Sequence, residues 1–118
     1  MDDKVNLAAK LALLDKPYTP GIVAYLNDYQ ITVVKIRGEF TWHAHDETDE
    51  FFLVLGGRVT IQLRERDVDL DPGELFVVPR GVEHCPKAED AEVLLIEPRG
   101  TVNTGAAGGD LTIEALEL

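Results

Sequence analysis

Residues 38–57 read GEFTWHAHDETDEFFLVLGG. Two histidines stand two residues apart, several acids follow them, and an apolar run then ends in paired glycines. In a β-strand, residues two apart point to the same face and lie roughly 6.6 Å from each other, so His43 and His45 can direct both imidazoles at one ion. An oxygen ligand is available from any of the acids that follow, namely Asp46, Glu47, Asp49 and Glu50.

A third imidazole comes from His84, which follows a turn-forming stretch at residues 78–81. A strand that returns from this turn can lie beside the first histidine pair. Three imidazoles and one carboxylate make a mixed nitrogen and oxygen site that suits one divalent transition metal. The ligand types alone do not distinguish Fe, Mn, Ni, Cu, Co and Zn.

The composition fits one compact domain and argues against nucleic acid and anionic membranes as binding partners. The chain has 118 residues and a formal net charge of -11, which repels nucleic acid and anionic membrane surfaces. Cys85 is the only cysteine, so a disulfide within the chain and a thiolate metal cluster are excluded, and a cytoplasmic location is expected. The start of the chain does not resemble a signal peptide, and no apolar run approaches transmembrane length.

Short β-rich runs follow a predicted N-terminal helix. Asp2 or Asp3 is expected to cap this helix, which continues to about Leu14. The runs recur at roughly ten-residue spacing, which is typical of an antiparallel sandwich or barrel. Their predicted bounds are 22–26, 31–37, 51–55, 59–63, 68–70, 75–78 and 93–97.

Turn chemistry separates several of these runs. Gly56 and Gly57 predict a tight hairpin, DPGE at 71–74 predicts a type II turn, and VPRG at 78–81 predicts a type I turn. The run VLLIE at 93–97 is apolar on both faces, so this strand is expected to be central or covered by a partner.

Both histidine segments resemble motifs of the cupin superfamily. The first motif, with its Gly, HxH, Glu and Gly, is similar to Gly38, His43, His45, Glu50 and Gly57, although four residues instead of five separate Gly38 from His43. The second motif is similar to Gly73, Pro79, Gly81 and His84, with Ala88 where the family usually has Asn. The resemblance covers residues 30–98.

This resemblance implies an all-β fold, a double-stranded β-helix (a cupin or jelly-roll barrel) with a short N-terminal helix. It implies a single cupin domain over residues 1–118, with an arm at 1–29, the barrel at 30–98 and a tail at 99–118. It also selects Glu50 among the four acids, as a metal ligand and as the catalytic residue. The implied metal ligands are His43, His45, Glu50 and His84.

The implied function is that of a metal-dependent enzyme on a small organic substrate, with dioxygenase-like chemistry favoured and isomerase or lyase chemistry as other options. The alternative is a non-catalytic module that binds or senses a small ligand. We expect a homodimer, because sheet edges, a helical arm and an apolar tail offer surfaces that two-fold pairing can cover.

The remaining conspicuous side chains have plainer expected roles. Phe40, Trp42 and Phe52 are expected in the core, with a substrate platform as the alternative. Arg37 and Arg64 are expected to be solvated, with anchoring of an anionic substrate as the alternative. Cys85 is expected to be a small core residue instead of a reactive thiol.

Overall fold

The computed structural model describes residues 3–105, 107–109 and 112–118, and its regular secondary structure consists of β-strands apart from one short helix. Among these residues, no helix is long and apolar enough to cross a membrane. The predicted all-β fold is confirmed. The elements are α1 (Leu7–Leu11), β1 (Gly21–Leu26), β2 (Tyr29–Glu39), β3 (Glu50–Gly56), β4 (Val59–Leu63), β5 (Asp67–Leu70), β6 (Leu75–Val78), β7 (His84–Pro98) and β8 (Leu116–Glu117).

Strand β7 organises the barrel because it has neighbours along its whole length. One edge of β7 pairs with β2 from end to end. The other edge pairs with β4 in its first part and with β3 in its second part. The sequence predicted only residues 93–97 of this strand. Residues 84–92 contain Pro86 and four charged side chains, so they lack the apolar pattern that marks a strand.

The predicted hairpin at Gly56 and Gly57 is wrong, because β3 and β4 are not partners of each other. Strand β3 pairs with β6 and β7, whereas β4 pairs with β5 and β7. Gly57 instead carries the chain from one part of β7 to the other at a φ of 73°. A Cβ at Gly57 would overlap the carbonyl oxygen of Asp90, so this crossing needs glycine.

The two other predicted turns have different outcomes. At residues 71–74 the Glu74 N–H donates to the Asp71 carbonyl at 2.9 Å, and Gly73 has a φ of 85°, as a type II turn requires. The predicted type I turn at 78–81 is wrong. The turn spans residues 79–82, and its third residue, Gly81, has a φ of 77°, which a type I turn does not allow.

Helix α1 is shorter than predicted. Asn6 caps it by accepting a hydrogen bond from the Ala9 N–H at 3.0 Å, so Asp3 is not the cap, and Asp2 lies outside the described residues. The helix ends at Leu11 instead of Leu14. Leu11 and Leu14 pack on Val33 and cover part of the outer face of β2.

Alternation along the strands separates an inner and an outer face. The inner residues Val34, Val54 and Val93 belong to the main hydrophobic core. The same inner rows continue into Gln30, Glu50 and Glu97, which are buried polar residues. One end of the barrel interior is therefore polar, and the three histidines lie at this end.

Candidate metal centre

The two histidine segments meet through their backbones. The His43 N–H donates to the His84 carbonyl at 3.0 Å, and the His84 N–H donates to the His43 carbonyl at 2.9 Å. The prediction that the strand of His84 returns beside the first pair is therefore confirmed. This bridge fixes the separation of two imidazoles by main-chain geometry instead of by flexible side chains.

The loop between the histidines and β3 decides which acid turns inward. The Gly81 N–H donates to the His45 carbonyl, and the Arg80 N–H donates to Asp49 Oδ1, both at 2.9 Å. Asp49 is thus held at the surface, and Asp46 and Glu47 are exposed. Glu50, the first residue of β3, is buried beside the histidines.

His43, His45, Glu50 and His84 form one buried cluster that could hold a metal ion. Each offers one ligand atom, and these four atoms all lie within 4.8 Å of one another. Glu50 Oε2 lies 4.0 Å from His43 Nε2 and 3.6 Å from His84 Nε2, and it contacts His45 Nε2 directly.

Backbone carbonyls orient two of the imidazoles. His43 Nδ1 lies 2.9 Å from the Thr41 carbonyl, and His84 Nδ1 lies 3.0 Å from the Val82 carbonyl. A carbonyl oxygen only accepts hydrogen bonds, so each Nδ1 carries the proton. Each neutral ring then directs the Nε2 lone pair into the cluster, which is the tautomer that metal-ligating histidines adopt.

Two ligand atoms of the cluster, His43 Nε2 and His84 Nε2, are buried without a hydrogen-bond partner, and Glu50 Oε2 between them has only its close contact with His45. Buried polar atoms without a partner are costly and uncommon. A divalent cation between them would satisfy all three, because each atom presents a lone pair. The donor set therefore fits a transition metal.

The protonation states of Glu50 and His43 also suit metal binding. Burial raises the pKa of Glu50, but the contacting His45 imidazole, above all, outweighs burial and holds this pKa at about 2. Burial, followed by repulsion from His84, lowers the pKa of His43 to about 4. Near neutral pH, Glu50 is thus a carboxylate and His43 is a neutral imidazole, which are the ligating forms.

A profile of the cupin domain family matches residues 30–97. The chain belongs to the cupin family. A solved cupin-2 domain containing protein from Shewanella frigidimarina is 43% identical with a TM-score of 0.79, and the match covers 80% of this chain and 94% of that one. A curated relative, the uncharacterized protein YdbB of Bacillus subtilis, is 26% identical over 109 residues, which are 82% of this chain and 96% of YdbB.

A more distant likeness concerns the fold alone. Hydroquinone 1,2-dioxygenase from a Sphingomonas species, solved with 4-hydroxybenzoate bound, is 18% identical with a TM-score of 0.66. The match covers 88% of this cupin and 72% of that chain. The cupin barrel is thus shared with proteins whose sequences have diverged widely.

An apolar cavity opens beside the ligand cluster inside the cupin barrel. The cavity has a volume of about 40 Å³. Phe40 and Phe52 are buried in the core, as predicted, and both also line this cavity with Tyr18, His43 and Glu50. A wider surface depression of about 750 Å³ includes Glu39 and Arg58 but none of the four ligands, so the small cavity is the candidate ligand site.

The two arginines considered as substrate anchors point to the surface. Arg37 pairs with Asp90 at 3.5 Å. Arg64 pairs with Glu83 at 3.3 Å and lies 3.8 Å above the ring of Trp42. The side chains of both arginines are more than half exposed, which agrees with their predicted solvation. Trp42, which was predicted to be in the core, is only half-buried.

Cys85 is a free, buried residue. Burial raises the pKa of its thiol, so the thiolate that would react is disfavoured. The structure therefore confirms the predicted core role.

Glu97 is a buried acid that the sequence reasoning missed. Phe51 pairs with Ile96, so the next position in register sets Glu97 opposite Glu50 on the inner face. Glu97 Oε1 accepts a hydrogen bond from Gln30 Nε2 at 3.1 Å. Burial, followed by the charge of Glu50, raises the pKa of Glu97 to about 7. The signal was present, since Glu97 continues the inward alternation of Val93 and Leu95.

The C-terminal tail closes one side of the site. Thr104 is fully buried. Gly105 has a φ of 55°, and a Cβ there would overlap the Ala44 carbonyl oxygen and lie 3.1 Å from His45 Nδ1. Asn103 lines the cavity and donates from Nδ2 to the Tyr18 carbonyl at 3.4 Å. The tail is thus part of the site wall, although it supplies none of the four ligands.

Proposed function

We propose that this cupin is a metal-dependent enzyme that acts on a small organic molecule. In this proposal one divalent transition metal per chain is held by His43, His45, Glu50 and His84. The observation that carries the proposal is the convergence of four buried ligand atoms, two of them imidazole nitrogens without a hydrogen-bond partner, beside a cavity.

A divalent ion with three imidazole ligands and one carboxylate keeps open coordination positions and supplies Lewis-acid or redox chemistry there. Glu50 is the proposed catalytic residue, since it is the only anionic ligand and sets the net charge at the reacting centre. Phe40 and Phe52 keep bulk water from the site. Dioxygenase chemistry is our first choice, and isomerase or lyase chemistry is the next.

A second candidate is a non-catalytic module that binds or senses a small ligand. The close contact of Gly105 with Ala44 and His45 favours this candidate, because a closed wall suits retention of a ligand more than rapid exchange of substrate and product.

We also propose a homodimer of one-domain chains in the cytoplasm, with no nucleic acid or membrane partner. The outer face of β6 exposes Leu75 and Val77, which pair in register with Leu53 and Phe51 of β3. This apolar face suits burial against a second copy. Light scattering at micromolar concentration that gives the mass of one chain would contradict the dimer.

Metal content tests the proposed site. The protein is stripped with a chelator, loaded separately with Fe²⁺, Mn²⁺, Co²⁺, Ni²⁺, Cu²⁺ and Zn²⁺, desalted and measured by elemental analysis. We expect about one ion per chain for the wild type. His43→Ala combined with His84→Ala should abolish this binding, whereas Glu47→Gln, at an exposed acid of the same loop, should leave it unchanged. Equal metal content in the double variant would refute the site.

The Glu50→Gln variant tests whether this protein is an enzyme or a binding module. Small phenols, diketones, sugars and carboxylic acids are screened with metal-loaded protein under oxygen, and oxygen uptake and products are measured. In an enzyme, this substitution should reduce turnover more than ligand binding, because it changes the charge of the centre while most contacts remain. Tight binding without turnover for every metal would favour the binding module.

A further inference from the structure

The cavity beside the four ligands carries no surplus positive charge. None of the described residues that line it is a lysine or an arginine, and two of them, Glu50 and Glu97, are acids. The charge of a divalent ion would be balanced by two carboxylates. Since a buried anion is unfavourable without a compensating cation, an uncharged ligand suits this cavity better than an anionic one.

The cavity also limits the size and the polarity of its ligand. A volume of about 40 Å³ holds roughly three water molecules, so the ligand has only a few non-hydrogen atoms unless the tail moves. Phe40, Phe52 and Leu95 supply apolar walls. Glu97 and Asn103 supply polar groups next to the ligand cluster.

Glu97 is placed to recognise a hydroxyl group. It lies opposite Glu50 in the register of β3 and β7, and Gln30 fixes its carboxyl by a hydrogen bond at 3.1 Å. Gln30 Oε1 in turn accepts from the Gly100 N–H at 3.3 Å, so the orientation of Glu97 is tied to the start of the tail.

We propose that Glu97 selects the ligand of this site: its carboxyl binds the hydroxyl of a small uncharged hydroxy compound in the cavity and disfavours anionic ligands. This inference rests on the proposed metal site. As a carboxylate, Glu97 accepts a hydrogen bond from a hydroxyl group and repels an anion.

The test uses two probes of equal size on the full chain loaded with Co²⁺. Hydroxyacetone is uncharged and glycolate is anionic, and each has a hydroxymethyl group attached to its carbonyl or carboxylate carbon. Binding is followed by the visible absorption of the bound ion and by calorimetry. We expect wild-type protein to bind hydroxyacetone about tenfold more tightly than glycolate, because only glycolate brings a second negative charge next to Glu97. Equal or tighter binding of glycolate would overturn the proposal.

Glu97→Gln should reduce this preference by about tenfold, because it removes the acid but keeps an oxygen for Gln30. Glu92→Gln is the control, since Glu92 lies on the same strand but on the other face. An unchanged preference in Glu97→Gln, or no binding of either probe to cobalt-loaded wild type, would overturn the role of Glu97. Failure to take up Co²⁺ would instead refute the metal site.

Discussion

Glu97→Gln is expected to make the stability of the metal-free protein less sensitive to a rise in pH from 4.5 to 7. The pKa of Glu97 is raised from its ordinary value of 4.5 to about 7, first by burial and then by the charge of Glu50. Between these two values the folded chain keeps a proton that the unfolded chain has released. The wild type therefore loses stability as the pH rises through this range.

The expected size of the effect follows from the two pKa values. Their difference corresponds to about 3 kcal/mol in the free energy of unfolding of the wild type. The wild type has all of this stability below pH 4.5 and has lost it above pH 7. The variant lacks this loss, so relative to wild type it should be about 3 kcal/mol more stable at pH 8 than at pH 4.5. His43, whose pKa is lowered to about 4, acts in the opposite direction between pH 6.5 and 4, but it is common to both proteins and its contribution cancels.

Urea denaturation with a chelator present, followed by the fluorescence of Trp42, measures this difference at several pH values. Glu92→Gln on the outer face of β7 is the control and should follow the wild type. The reasoning is refuted if the unfolding free energies of wild type and Glu97→Gln differ by a constant amount, within about 0.5 kcal/mol, from pH 5 to pH 8. Ionisation of the buried carboxyl would then not destabilise the wild type.

Three other outcomes are expected. Gly57→Ala should destabilise the fold by more than about 3 kcal/mol, because strain at positive φ adds to overlap with a backbone carbonyl, whereas Gly73→Ala, with open space around it, should cost only about 1–2 kcal/mol; equal losses in urea would contradict this. Tyr18→Phe should cost about 1–3 kcal/mol, since the hydroxyl contacts the Gly38 and Pro86 carbonyls at 2.7 and 3.2 Å; an unchanged midpoint would argue against it. A Ni²⁺ concentration of about 100 times the dissociation constant at pH 7.5 should stabilise the protein by about 2.7 kcal/mol at this pH. The same concentration should stabilise it by less at pH 5, where a proton competes for His45, because burial, which lowers the pKa of this imidazole, is outweighed by its hydrogen bond to Glu50, which raises it; thermal melts with equal shifts at both pH values would oppose this.

The cluster of candidate metal ligands could be predicted from sequence because the positions of its members depend on short-range rules. Strand parity places His43 and His45 on one face, and the motif spacing selects Glu50 over its acidic neighbours. The pairing of strands that are distant in the sequence could not be predicted in this way. The glycine pair at Gly56 indicates a turn, but local turn chemistry does not determine which strands pair afterwards, and the chain in fact crosses to another part of β7.

Propensity and composition also explain the other errors. Helix α1 is short because Asn6 supplies a cap after the two predicted acids, and any of these residues can cap. Glu97 was overlooked because an acid at the end of an apolar run is usually exposed. Its burial depends on the neighbouring strands and on Gln30, which is 67 residues away in the chain.

The candidate metal ligands and the C-terminal tail lie in separate segments of the sequence, so they can change independently during evolution. All four candidate metal ligands lie within residues 43–84, whereas Asn103, Thr104 and Gly105 add a wall without belonging to this cluster. Substitutions in this wall can alter the shape and polarity of the chamber while the metal chemistry persists. We therefore expect homologues with the same four residues to differ through their C-terminal segments in the small molecules that they bind, which makes these segments the natural target for randomised libraries.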